Sequence, residues 1–123
     1  MKILESSENY LEQILMLSKT KKEVRSIDIV NSMKFSKPSV SIAMKNLKEN
    51  GYIEISSKGL ITLTEAGYNI ACKVYERHCI IKKVLMKLGV SESTASNDAC
   101  KIEHDLSEES FNALKAYINN LKE

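Results

Sequence analysis

The sequence predicts a mainly α fold in which three helices and a β-hairpin are followed by an all-helical region. Three observations carry that prediction. Apolar residues recur at helical spacing in six segments. Two short β-rich runs flank a glycine-containing turn in "YIEISSKGLITLT". A chain of 123 residues with 43% hydrophobic content has room for one compact domain or two small helical lobes sharing a core.

The elements follow in order. Ser6 or Ser7 can cap a first helix in which Tyr10, Leu11, Ile14, Leu15 and Leu17 share a face, and the lysine-rich "KTKKE" should end it. Ser26 is the expected cap of a short second helix whose Ile29, Val30 and Met33 point inward. "KFSKPSV" reads as a turn and a helix start, with Ser36 as N-cap and Pro38 in the first turn, where a missing N–H is harmless. This third helix should reach about Asn50 and stop at Gly51. A hairpin follows, its turn at Ser56-Ser57-Lys58-Gly59. Thr64 opens a long fourth helix that ends at Gly89, with apolar positions on more than one stripe. Ser91 or Ser93 caps a fifth helix expected to run through "CKIEHDL", and Ser107 begins a sixth. Three helices and then a hairpin is the order of a winged helix-turn-helix, which places a DNA-binding domain at 1–63 and an all-helical domain at 64–123. Enzyme and interaction modules that never touch DNA share this order.

Composition narrows the classes. The N-terminus carries Glu5, Glu8 and Glu12 and lacks both an uninterrupted apolar core and a small-residue cleavage site, so no signal peptide is expected. No run is long enough to span a bilayer, and a cytoplasmic location is expected. Three irregularly spaced cysteines, Cys72, Cys79 and Cys100, form no disulfide framework. Residues 19–58 hold nine Lys or Arg against four Asp or Glu, and residues 91–123 hold three against seven, so the basic front half suits a polyanionic partner.

With Val40, Met44 and Leu47 in the core, the third helix turns Pro38, Ser41, Ile42, Lys45 and Glu49 the other way. Ser39 and Ser41 can bond base edges or phosphates, Ile42 can meet a thymine methyl, and Lys45 can reach a guanine edge or the backbone. Lys37 and the wing residue Lys58 suit phosphates.

In "CKIEHD" the residues Cys100, Glu103 and His104 stand at i, i+3 and i+4, which on a helix confines them to an arc of roughly 100°. Thiolate, carboxylate and imidazole together favour Fe(II), Zn(II), Co(II) or Ni(II), permit Mn(II) and disfavour Mg(II) or Ca(II). The same spacing fits a buried thiol beside a surface Glu–His pair. His78 on the long helix, and Asn9 and Glu12 on the first, are further candidate donors that by themselves read as ordinary helix residues. A metallohydrolase is disfavoured, because HExxH, a serine elbow and a phosphate-cradling glycine loop are all missing. The stronger rival is a winged-helix regulator gated by a small organic ligand or by thiol oxidation of Cys100.

The segments "SSENYLEQILML", "KPSVSIAMKNLKENGYI", the wing, "VYERH" and "NDACKIEHDLSEE" resemble the diphtheria-toxin-repressor family of iron- and manganese-dependent repressors, in order and over nearly the whole chain. The length resembles the shorter manganese branch, without an SH3-like domain. The resemblance implies a homodimer that binds a palindromic DNA operator when a divalent transition metal is held by Asn9, Glu12, His78, Cys100, Glu103 and His104, with Ile81, Leu85, Leu88 and Ala95 at the dimer interface. Asn9 stands where the manganese branch has Asp and the iron branch Met. Cys100 matches the iron branch and Glu12 the manganese branch, a hybrid set in which the thiolate favours Fe(II) over Mn(II). Lys82 and Ser96 replace the Glu and His of the iron branch's ancillary site, so that second site is expected to be absent in its usual form.

Overall fold

The computed structural model describes residues 5–121, six helices and one two-stranded sheet among them. The elements are α1 (Glu5–Thr20), α2 (Ser26–Met33), α3 (Lys37–Glu49), β1 (Ile53–Ile55), β2 (Ile61–Leu63), α4 (Glu65–Lys87), α5 (Glu92–Ile102) and α6 (Glu108–Asn120). Two compact units, Met1–Cys72 and Lys73–Glu123, divide the chain within α4.

The first unit has the order of a winged helix-turn-helix. Its buried residues include Leu11 and Ile14 of α1, Ile29 of α2, Val40, Met44 and Leu47 of α3, and Ile53 and Ile61 of the hairpin. These are the apolar positions set by 3.6-residue and two-residue periodicity. Local chemistry fixes the ends. Ser36 caps α3, its hydroxyl accepting the Ser39 N–H at 3.3 Å, with Pro38 in the first turn. Gly51 ends α3 at φ +81°. Its N–H donates to Lys48 O at 3.1 Å and that of Tyr52 to Leu47 O at 3.0 Å, the two bonds of a Schellman motif. β1 and β2 pair antiparallel with Ile53 opposite Leu63 and Ile55 opposite Ile61. The Ile61 N–H also donates to Val24 O at 2.8 Å, tying the wing to the segment before α2.

Two starts differ from expectation. α1 already runs through Ser6 and Ser7, so neither caps it. Arg25, not Ser26, is the N-cap of α2, where Asp28 reaches back to accept the Arg25 N–H at 2.8 Å. The carboxylate of a capping box therefore does the work expected of the serine hydroxyl. Thr64 caps α4 as expected, its hydroxyl accepting the Gly67 N–H at 3.2 Å while donating to Gly51 O at 2.7 Å.

In the second unit Ile80, Phe111 and Ile118 form a buried cluster, with Val84, Leu106 and Leu114 packed on it. Gly89, at φ +102°, stops α4 through a second Schellman pair, Gly89 N–H to Met86 O and Val90 N–H to Leu85 O, both 3.0 Å. Ser107 caps α6 by accepting the Ser110 N–H at 3.1 Å. α5 is shorter than expected. It stops at Ile102, Glu103 occupies the C-cap, and His104 and Asp105 lie in the turn toward α6.

Candidate metal centre

The centre is built on α4 and on the end of α5. α4 presents His78, and α5 presents Cys100 from its last turn and Glu103 from its C-cap. One donor atom from each of these three side chains lies within 4.8 Å of the other two. Glu103 is the centrepiece: it is 1% exposed, its Oε2 stands 3.3 Å from His78 Nδ1, and its Oε1 stands 3.4 Å from His104 Nε2. Neither contact has hydrogen-bond geometry, and among the described residues neither oxygen accepts a hydrogen bond. A carboxylate removed from water without donors is costly unless positive charge reaches it. Ligand atoms around one cation at bond lengths of ~2.0–2.3 Å lie roughly 3–4 Å apart. The donor set therefore fits a divalent transition metal, in spacing and in chemistry.

Expectation and structure differ in how His104 arrives. An unbroken helix would carry it on the same face as Cys100 and Glu103; instead the turn brings it in, its side chain 2% exposed. The other nitrogen of His78, Nε2, lies 3.5 Å from the Ser96 hydroxyl on α5. That contact orients the ring and leaves Nδ1 on the Glu103 side. Ser96 and Arg77 also support the site, 18 residues from His78 and 26 from Glu103 in sequence, separations that no local pattern signals. Arg77 Nη1 donates to the carbonyl oxygen of Glu103 at 3.1 Å and also to that of Leu106. Asn9 and Glu12 belong to α1 in the first unit, three positions apart, with Glu12 buried. Cys72 and Cys79 are half-buried free thiols.

The DNA-reading candidates are all in the first unit. Lys37, Pro38, Ser39, Ser41, Ile42 and Lys45 are exposed on α3, with Ile42 at 64%. Lys58 is exposed at the hairpin turn.

Residues 2–61 match the family described as iron dependent repressor, N-terminal DNA binding domain, and residues 64–123 match its metal binding and dimerisation domain. The chain belongs to the iron-dependent repressor family. Carrying both regions, it is a metal-dependent, DNA-binding and dimerising transcriptional repressor. An uncharacterized HTH-type transcriptional regulator of Methanocaldococcus jannaschii is 34% identical over 121 residues, 97% of each chain. The transcriptional regulator MntR of Escherichia coli O157:H7 is 34% identical over 110 residues, 89% of this chain and 71% of that one. Among solved structures, the manganese regulator SloR superposes with a TM-score of 0.83 at 26% identity, and 94% of this chain spans 54% of SloR. IdeR of T. acidophilum, at 23% identity and a TM-score of 0.83, shares the fold. No helix among the described residues is long and apolar enough to cross a membrane.

Proposed function

We propose that this member of the iron-dependent repressor family is a cytoplasmic homodimer, without enzymatic activity, that represses metal-homeostasis genes from a palindromic operator. Its corepressor is a divalent transition metal, Fe(II) in preference to Mn(II). His78, Cys100, Glu103 and His104 hold the ion, with Asn9 and Glu12 of α1 as further donors. The domain division at 63/64 assigns DNA reading to the front and metal response to the rear. One observation carries the metal reading: a fully buried carboxylate with no hydrogen-bond donor on either oxygen, faced by two imidazoles and a thiol. That is a site for a cation, and the thiol of Cys100 favours a softer one than Mn(II).

Bound metal supplies positive charge and fixed coordination directions. The protein's part is to present acidic donors, Glu12 and Glu103 among them, that repel in an empty site, so that binding selects one arrangement of the reading heads. In that arrangement the face of Pro38, Ser39, Ser41, Ile42 and Lys45 enters the major groove while Lys37 and Lys58 meet the phosphates, with the two recognition helices about one helical turn apart. A coupling of about 1–3 kcal/mol raises operator affinity some 5- to 150-fold.

The test is an anaerobic operator titration with Fe(II), with Mn(II) and with neither. Metal-independent affinity rejects activation, and tighter binding of Mn(II) than of Fe(II) in direct isotherms rejects the iron preference.

A further inference from the structure

We infer that Arg77 is a positioning residue of the metal centre: it clamps the main chain of Glu103 to α4 and so sets the separation of the Glu103 carboxylate from His78. The inference rests on the metal-binding reading above. The last carbonyls of a helix have no partner within it. At the end of α5 the N–H groups of Glu103, Asp105 and Leu106 satisfy Ala99 and Ile102. The carbonyls of Glu103 and Leu106 instead accept from one nitrogen, Arg77 Nη1. Arg77 immediately precedes His78 on α4, so one backbone segment carries both a ligand and the group that holds the opposing ligand in place.

Two further features make this a clamp and not a surface contact. The guanidinium carbon lies 5.2 Å from the centroid of the Phe111 ring, within cation–π range, and Phe111 belongs to the buried cluster of the second unit. The head group is thus seated on the core. Arg77 also leaves the carboxylate alone. Both Glu103 oxygens lack a hydrogen bond, although a guanidinium forks readily onto carboxylates. By spending its donors on main-chain oxygens, Arg77 fixes Glu103 without neutralising the charge that a metal needs.

The experiment measures Co(II) binding to the full chain anaerobically, by calorimetry and by the visible absorption of the Co(II) centre, in wild type, Arg77→Met and Arg77→Lys. Met keeps an apolar stem over Phe111 and removes the donors; Lys restores a charged donor. Removal of a group that orients metal ligands typically costs 10–100-fold in affinity. Arg77→Met should lose affinity by that factor with an altered Co(II) spectrum, and Arg77→Lys should regain most of it. Circular dichroism of the metal-free proteins checks the fold. If Arg77→Met does not fold, Arg77→Gln, whose amide is too short to span both carbonyls, takes its place with the same expected loss. Wild-type affinity and spectrum in the Met or Gln variant overturn the inference, as does a loss that Lys fails to recover. Failure of wild type to bind Co(II) overturns the metal-site reading itself.

Discussion

Glu103→Gln is the substitution that separates a metal site from a structural polar cluster, because it keeps the shape of the side chain and removes its charge. In the metal-free protein Glu103 is 1% exposed with neither oxygen hydrogen-bonded. An unsatisfied buried polar group costs about 1–3 kcal/mol, more when charged. The neutral amide relieves part of that and can donate to an imidazole nitrogen at the 3.3–3.4 Å positions. Metal-free Glu103→Gln should therefore be as stable as wild type or more stable by roughly 1 kcal/mol, a rise in Tm of ~3–5 °C for a chain of this length. The metal-bound limb moves the other way. Ligand at 100 times its Kd stabilises by about 2.7 kcal/mol; if the variant binds 100-fold more weakly, the same concentration gives about 0.4 kcal/mol. Thermal unfolding followed by circular dichroism, at one protein concentration and with Mn(II) at 100 times the wild-type Kd, reads both limbs. A variant destabilised by more than ~1 kcal/mol without metal, yet retaining the full metal-induced shift, would refute the reasoning: Glu103 would then be a structural hydrogen-bonding residue.

Three other outcomes follow from particular features of the first unit. A Cβ on Gly67 would lie 2.0 Å from Tyr52 O and 2.9 Å from its carbonyl carbon; because both are main-chain atoms that cannot swing away, Gly67→Ala should cost at least ~1–3 kcal/mol in urea unfolding, and a cost below ~0.5 kcal/mol would show that α4 is not seated on the β1 entry. Lys34 holds φ 59°, ψ 37° at the α2–α3 turn, a conformation that penalises a Cβ, so Lys34→Gly should stabilise by about 0.5–1 kcal/mol in the same assay, and a loss of stability would contradict that. The Arg25 N–H, followed by Lys21 at 3.1 Å, holds the Asp28 carboxyl below its ordinary 3.8. A depressed folded-state value contributes stability above the unfolded pKa and loses it as pH falls through the folded one. The stability gap between wild type and Asp28→Asn should therefore be constant above about pH 5 and close below about pH 4; a gap that widens in acid would reverse the assignment.

Which parts of this architecture could be read from the chain depends on the range of the interactions that make them. Ser36, Pro38, Gly51, Thr64, Gly89 and Ser107 act on backbone groups a few residues away, and they stand in the structure where local turn and cap chemistry puts them. The Asp28 carboxylate acts just as locally, and only the competing attraction of Ser26 as a cap hid it. The end of α5 is different. Helical periodicity carries the helix through Leu106, and the chain instead leaves it at Ile102. The group that satisfies the freed carbonyls, Arg77, is 26 residues from Glu103 in sequence. No local rule contains that distance. The same applies to Ser96 beside His78, 18 residues apart, and to the approach of Gly67 to Tyr52. The spacing of Cys100 and Glu103 survived because one helical turn spans both; His104 joined them by a route that helix geometry does not describe.

That route bears on how such a site can act as a switch. Three donors on one rigid helix face would be preformed, and a preformed site binds its ion in every arrangement of the protein alike, which shifts no equilibrium. Here one donor sits on α4, one in the last turn of α5, one at its C-cap and one in the following turn. The main chain of Glu103 is bonded to Arg77 of α4, and its carboxylate is buried with no hydrogen-bond donor on either oxygen, which is unfavourable until a cation reaches it. A cation that relieves that burial would favour the arrangement in which the four donors meet.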